Sequence, residues 1–111
     1  EPDGFEMRHL IFKLGSNEPV VRVRIRPSAE ISRIVLCQDA FVQIREFPAV
    51  YKSRLVFRDY DGKVLRTIKG PRGSDVPVAA KCTGRTLSLA IYNDFDADED
   101  LFPYSVRRYE F

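Results

Sequence analysis

The sequence predicts an all-β protein, a single antiparallel β-sandwich of about eight short strands, jelly-roll or immunoglobulin-like, with a small β-barrel as the alternative. Three observations carry this expectation. Apolar and polar residues alternate with period two through most of the chain, the pattern of half-buried strands. Turn-forming residues interrupt that alternation about every 8–12 positions. No window of about 11 residues holds a capped apolar stripe of helical spacing.

The elements follow in order. Leu10, Phe12 and Leu14 share one face of the first strand, with His9 and Lys13 opposite, and Gly15-Ser16-Asn17-Glu18-Pro19 turns the chain. Val21, Val23 and Ile25 then alternate with Arg22, Arg24 and Arg26, and Pro27 stops that strand because it has no N–H for a ladder. Ile31 to Cys37 is apolar on both faces and is expected to be central or covered. Phe41 to Phe47 sets Val42 and Ile44 against Gln43 and Arg45, and Leu55 and Phe57 oppose Arg54 and Arg58. Asp59-Tyr60-Asp61-Gly62 ahead of Val64–Ile68 is a hairpin signal, since Gly supplies the positive φ such turns need. Gly70 to Asp75 reads as a loop, followed by a weaker strand at Val76, Val78 and Ala80 and a clear one at Leu87, Leu89 and Ile91. After the loop Asn93 to Pro103, Tyr104 and Val106 begin the last strand.

A chain of 111 residues, 44% of them apolar, is enough for one domain with its core over about residues 7–111. Apolar runs reach four residues at most, so no transmembrane helix is expected. The opening Glu1-Pro2-Asp3-Gly4, with the first Met at position 7, is expected of an excised domain or of a mature chain that has lost a leader. The location is left open, with the extracellular or periplasmic side slightly favoured. Cys37 and Cys82 stand 45 residues apart, either a disulfide across two strands or two small buried apolar groups.

The charges are unevenly laid out. Residues 8–92 hold 16 Lys or Arg against 7 Asp or Glu, a balance of +9, while the remaining residues carry −7. A net charge of +2 excludes a uniformly basic nucleic-acid coat, and one His with two Cys excludes a zinc finger. His9 lies on a strand, no G-x-S-x-G elbow occurs, and no Gly-rich phosphate loop precedes a helix, so the chain is expected not to be an enzyme and to need no cofactor.

Three candidate sites remain. Asp94, Asp96, Asp98, Glu99 and Asp100 crowd one loop, and alternating carboxylates are a common source of oxygen ligands for Ca²⁺. The loop is not an EF-hand, because Glu99 stands where a Gly is needed and Ser105 where the bidentate Glu is needed. Asp59 and Asp61 are expected to approach it at one end of the sandwich and complete a calcium cup. Arg22, Arg24 and Arg26 form a ladder spaced about 6.6 Å, a second candidate, suited to phosphate or sulfate groups. Tyr60 and Tyr92 are the aromatic candidates beside such charges. The third candidate is the set of end loops as a contact for a protein or polysaccharide partner.

The stretch Ile91-Tyr92-Asn93-Asp94-Phe95, then Asp100-Leu101 and Ser105-Val106, resembles Ca²⁺-dependent carbohydrate-binding modules, where a late strand runs into an Asn-Asp-aromatic loop and out into a final strand. The likeness covers about 20 of 111 residues, with Glu99 and Asp100 in place of the Arg-Asn pair of those modules. It implies Ca²⁺-assisted polysaccharide binding. Calcium-dependent C2 domains, which bind lipid, share the device of aspartates on end loops. The resulting expectation is a non-catalytic binding or assembly module for a protein or polysaccharide. A calcium-dependent carbohydrate or lipid binder is the first alternative, and a polyanion binder on the arginine ladder the second. Nucleic acid is disfavoured, because no aromatic-rich RNA-binding consensus occurs. The sequence sets no oligomeric state.

Overall fold

The computed structural model describes residues 7–12, 14–25, 30–93 and 104–111. Among them lie nine strands: β1 Met7–Phe12, β2 Pro19–Ile25, β3 Ile31–Leu36, β4 Ala40–Phe47, β5 Lys52–Asp59, β6 Val64–Lys69, β7 Asp75–Thr83, β8 Thr86–Asn93 and β9 Tyr104–Glu110. They form three antiparallel sheets, ordered β1-β2, β3-β4-β5-β6 and β7-β8-β9. No barrel closes, which removes the barrel alternative. β3 and β6 remain the edges of one sheet, and β7 and β9 the edges of another. Every ladder joins consecutive strands, so each sheet is a meander. The Greek-key crossing that jelly-roll and immunoglobulin-like sandwiches require is not among these pairings.

Two cores hold the layers together. The four-stranded and three-stranded sheets pack face to face through Val42, Ile44, Leu55 and Phe57 on one side and Leu87, Leu89 and Ile91 on the other. The ring of Phe57 stacks on Phe111, with centroids 4.4 Å apart. The opposite face of the four-stranded sheet carries Phe41, which packs against Ile11, Val21 and Val23 of the β1-β2 hairpin, with Ile34 and Tyr60 beside it. An isolated hairpin is marginal in water, so this second core and a polar tie across the interface keep it docked. His9 Nε2 and Gln43 Nε2 both lie 3.0 Å from the Ser32 hydroxyl.

This layering explains the doubly apolar β3. It is an edge strand of its sheet, yet Ile34 faces the hairpin core and Val35 the sandwich core. The strand that is central and closed on both faces is β4, where Ala40 through Ile44 are all buried.

Edge strands from facing sheets are tied on both flanks. Cys37, just past β3, is bridged to Cys82 on β7, with Cα atoms 5.1 Å apart. Arg33 of β3 donates to the Pro77 carbonyl of β7 at 2.9 Å and pairs with Glu46 at 3.1 Å. On the far flank Arg66 of β6 donates to the Glu110 carbonyl of β9 at 2.6 Å. No helix among the described residues is long and apolar enough to cross a membrane.

Candidate anion-binding cleft

A basic cleft follows from the register of three strands. After Phe47, Pro48 opens a single 3-10 turn over Pro48–Val50, its fixed φ suiting the first turn position. Tyr51 reverses the chain in the left-handed region, at φ 53° and ψ 45°. This turn sets Phe47 opposite Lys52 and therefore Arg45 opposite Arg54. The return of β6 then places Lys69 opposite Arg54. Three cations thus occupy one row across β4, β5 and β6, on strands about 4.8 Å apart. Like charges directly opposite on a sheet repel, so this row lowers stability unless something neutralises it.

Arg45 is neutralised from within. Glu30, only 6% exposed, accepts from Arg45 Nε at 2.7 Å and Nη2 at 3.0 Å. That bidentate grip raises the guanidinium above its ordinary pKa, against the opposing cost of burial. Its Cζ also lies 5.2 Å over the Phe47 ring. Arg54 and Lys69 have no carboxylate partner among the described residues, nor do Lys52 and Arg72 at the mouth of the same cleft. The cleft has a volume of about 490 Å³, and among the described residues its lining holds no carboxylate.

The cleft floor is held rigidly. Gly70 N–H donates to the Ser53 carbonyl at 3.0 Å, and the Ser53 hydroxyl donates to the Pro71 carbonyl. A Cβ on Gly70 would stand 2.5 Å from that hydroxyl and 3.4 Å from Leu55. Gly70→Ala is therefore expected to push the hydroxyl off the Pro71 carbonyl and lower the unfolding free energy by about 1–3 kcal/mol, read from the urea midpoint at constant slope. A midpoint equal to wild type would show that Ser53 rotates freely there.

The residues singled out in the sequence are distributed differently. Arg22 and Arg24 lie on the hairpin, alternating with the core-facing Val21, Val23 and Ile25, and so face away from the four-stranded sheet. Arg22 pairs loosely with Glu18 at 3.7 Å, and Arg26 is outside the described residues. Arg58 donates to the Gly62 carbonyl at 3.3 Å, and Arg66 lies on the face of its sheet opposite to Lys69. Tyr60 packs on Phe41, with centroids 5.7 Å apart, and donates its hydroxyl to the Cys37 carbonyl at 2.8 Å. Burial and, after it, the nearby Asp39 raise its pKa. Tyr92 packs against Tyr104 at 5.1 Å.

Asp94, Asp96, Asp98 and Asp100 lie outside the described residues. The strands that flank them end at Asn93 and begin at Tyr104, where Asn93 donates to Asp75 and Arg107 pairs with the same carboxylate. Asp59 and Asp61 stand at the other end of the sandwich, the end that carries the Cys37–Cys82 bridge and the Asp39–Arg85 pair. Asp59 Oδ1 accepts from Asp61 N–H at 3.0 Å and Lys63 N–H at 2.9 Å, which shapes the β5-β6 turn. The anchors of the acidic loop and this turn are therefore not brought together. Among the described residues no three His, Cys, Asp or Glu side chains gather as a metal site.

Chemically the cleft presents groups that can hold an anion. Arg54 and Arg72 offer planar forks for sulfate, phosphate or carboxylate, and Lys52 and Lys69 offer point charges. Comparison with known proteins found no family model, curated relative or solved structure that matches this chain.

Proposed function

We propose that this chain is a non-catalytic binding module that holds an extended anionic polymer in the cleft between Arg54, Lys69, Lys52 and Arg72. The observation that carries the reading is the cross-strand row Arg45–Arg54–Lys69, in which, among the described residues, only the first cation has an internal carboxylate. A row of unneutralised like charges opposes folding, and an anionic ligand relieves it. Among the described residues the only hydroxyl in the cleft lining, that of Ser53, is committed to the Pro71 carbonyl, which favours binding over acid–base or nucleophilic work.

Heparin is the first probe. Binding through four cations should give a logarithm of affinity that falls with the logarithm of salt at a slope of about −3 to −4. A slope near zero, or elution below physiological ionic strength, would remove the reading.

A further inference from the structure

Tyr51 stands beside this cleft in a conformation that its own chemistry disfavours. It is the one non-glycine residue with positive φ among the described residues, and the residue is 72% exposed. A bulky aromatic in the left-handed region is an outlier that neighbouring structure must impose, and such residues cluster at ligand sites. Here the imposing bonds are Gly73 N–H to the Tyr51 carbonyl at 2.8 Å and Tyr51 N–H to the Pro48 carbonyl at 3.3 Å. Asn or Gly would occupy the turn with less strain, and an exposed ring recovers nothing through burial.

Its surroundings connect it to the cations. Tyr51 edges a groove of about 210 Å³ that shares Phe47, Lys52, Ser53 and Arg72 with the basic cleft. The two carboxylates on that groove are already engaged, Glu46 by Arg33 and Asp75 by Asn93 and Arg107. The ring therefore adjoins free positive charge.

We propose that Tyr51 is a stacking platform for a sugar ring, so that the polymer in the cleft is an acidic polysaccharide. The inference rests on the basic-cleft reading and narrows it from anionic polymer to glycan. The C–H face of a sugar packs on the negative face of an aromatic ring, and one such contact suffices when charges carry the affinity. Single-stranded nucleic acid is bound differently, by successive aromatics under successive bases. Here one exposed ring flanks four cations, and the Phe47 ring is covered by Arg45.

The test titrates a heparin-derived hexasaccharide into the wild type, Tyr51→Asn, Tyr51→Phe and the Arg54→Gln/Lys69→Gln pair. Tyr51→Asn is expected to bind about tenfold more weakly, with an unchanged salt slope and a melting midpoint equal to wild type or higher. Tyr51→Phe keeps the ring and should bind within about twofold of wild type, which tests the platform even if the Asn variant misfolds. Wild-type affinity in Tyr51→Asn, alongside weak binding by the charge pair, would overturn the platform and leave the basic cleft standing. No binding by wild type would remove both. Tighter, ring-dependent binding of oligo-dT than of the hexasaccharide would overturn the glycan assignment in favour of nucleic acid.

Discussion

Arg54→Gln combined with Lys69→Gln is expected to weaken heparin binding about 100-fold near physiological salt and to reduce the salt slope by about two. The same pair should leave the protein as stable as wild type, or more stable by about 0.2–1 kcal/mol, because it removes two cations from a cross-strand row that also holds Arg45. Opposite signs for binding and stability separate a ligand site from a solvated face. The control is Arg22→Gln with Arg24→Gln, two cations on the hairpin's other surface, which should change retention far less. Titration calorimetry at three salt concentrations, with urea melts of each variant, gives both quantities. An unchanged slope in the Arg54/Lys69 pair would rule out the cleft, and a larger effect from the hairpin pair would move the site to the arginine ladder.

Loss of the Cys37–Cys82 bridge should have the largest effect on stability. The bridge closes a loop of 45 residues, and the chain-entropy estimate for such a loop is about 4 kcal/mol. Domains are stable by about 5–15 kcal/mol in total, so the reduced protein should retain well under its full stability. Urea unfolding with and without reductant, and of Cys37→Ser with Cys82→Ser, should show the midpoint fall and the slope rise as the unfolded chain expands. Cys37 follows β3 and Cys82 lies on β7, two strands that the Arg33–Pro77 hydrogen bond also ties, so exchange protection should fall first on those two edges. A loss below about 1 kcal/mol would mean that the sheets hold each other without the bridge.

How much of this was legible in the sequence varied with the range of the interaction. Period-two alternation marks the strands and gives the facing where it is clean, as at Leu87, Leu89 and Ile91, but it misplaces β1, where Ile11 is buried and the alternating Leu10, Phe12 and Leu14 are exposed. The stacking of sheets was not legible. Phe41 and Val42 are adjacent apolar residues, and only the structure shows that they serve different cores. The two apolar faces of β3 each meet a core, at Ile34 and Val35, yet the strand stays half-buried to exposed because it lies at an edge, a place set by neighbours that no local pattern encodes. The calcium cup paired two acidic stretches by composition, whereas the order of strands sets their anchors at opposite ends. The basic row is not legible locally, because Arg45, Arg54 and Lys69 are nine and fifteen positions apart in sequence. A signal was present: Pro48 at a tight turn fixes the β4-β5 register, and that register alone sets Arg45 beside Arg54.

The meander order of the sheets has a kinetic consequence. When every ladder joins neighbours in sequence, each sheet can zip outward from its own turn by closing short loops, each of small entropic cost. Long-range contacts are required only when finished layers stack, so the chain should order faster than Greek-key proteins of its size, whose sheets themselves depend on distant strands. The thiols of Cys37 and Cys82 belong to different sheets and meet only after stacking. Oxidation would then seal an assembled sandwich rather than guide its formation.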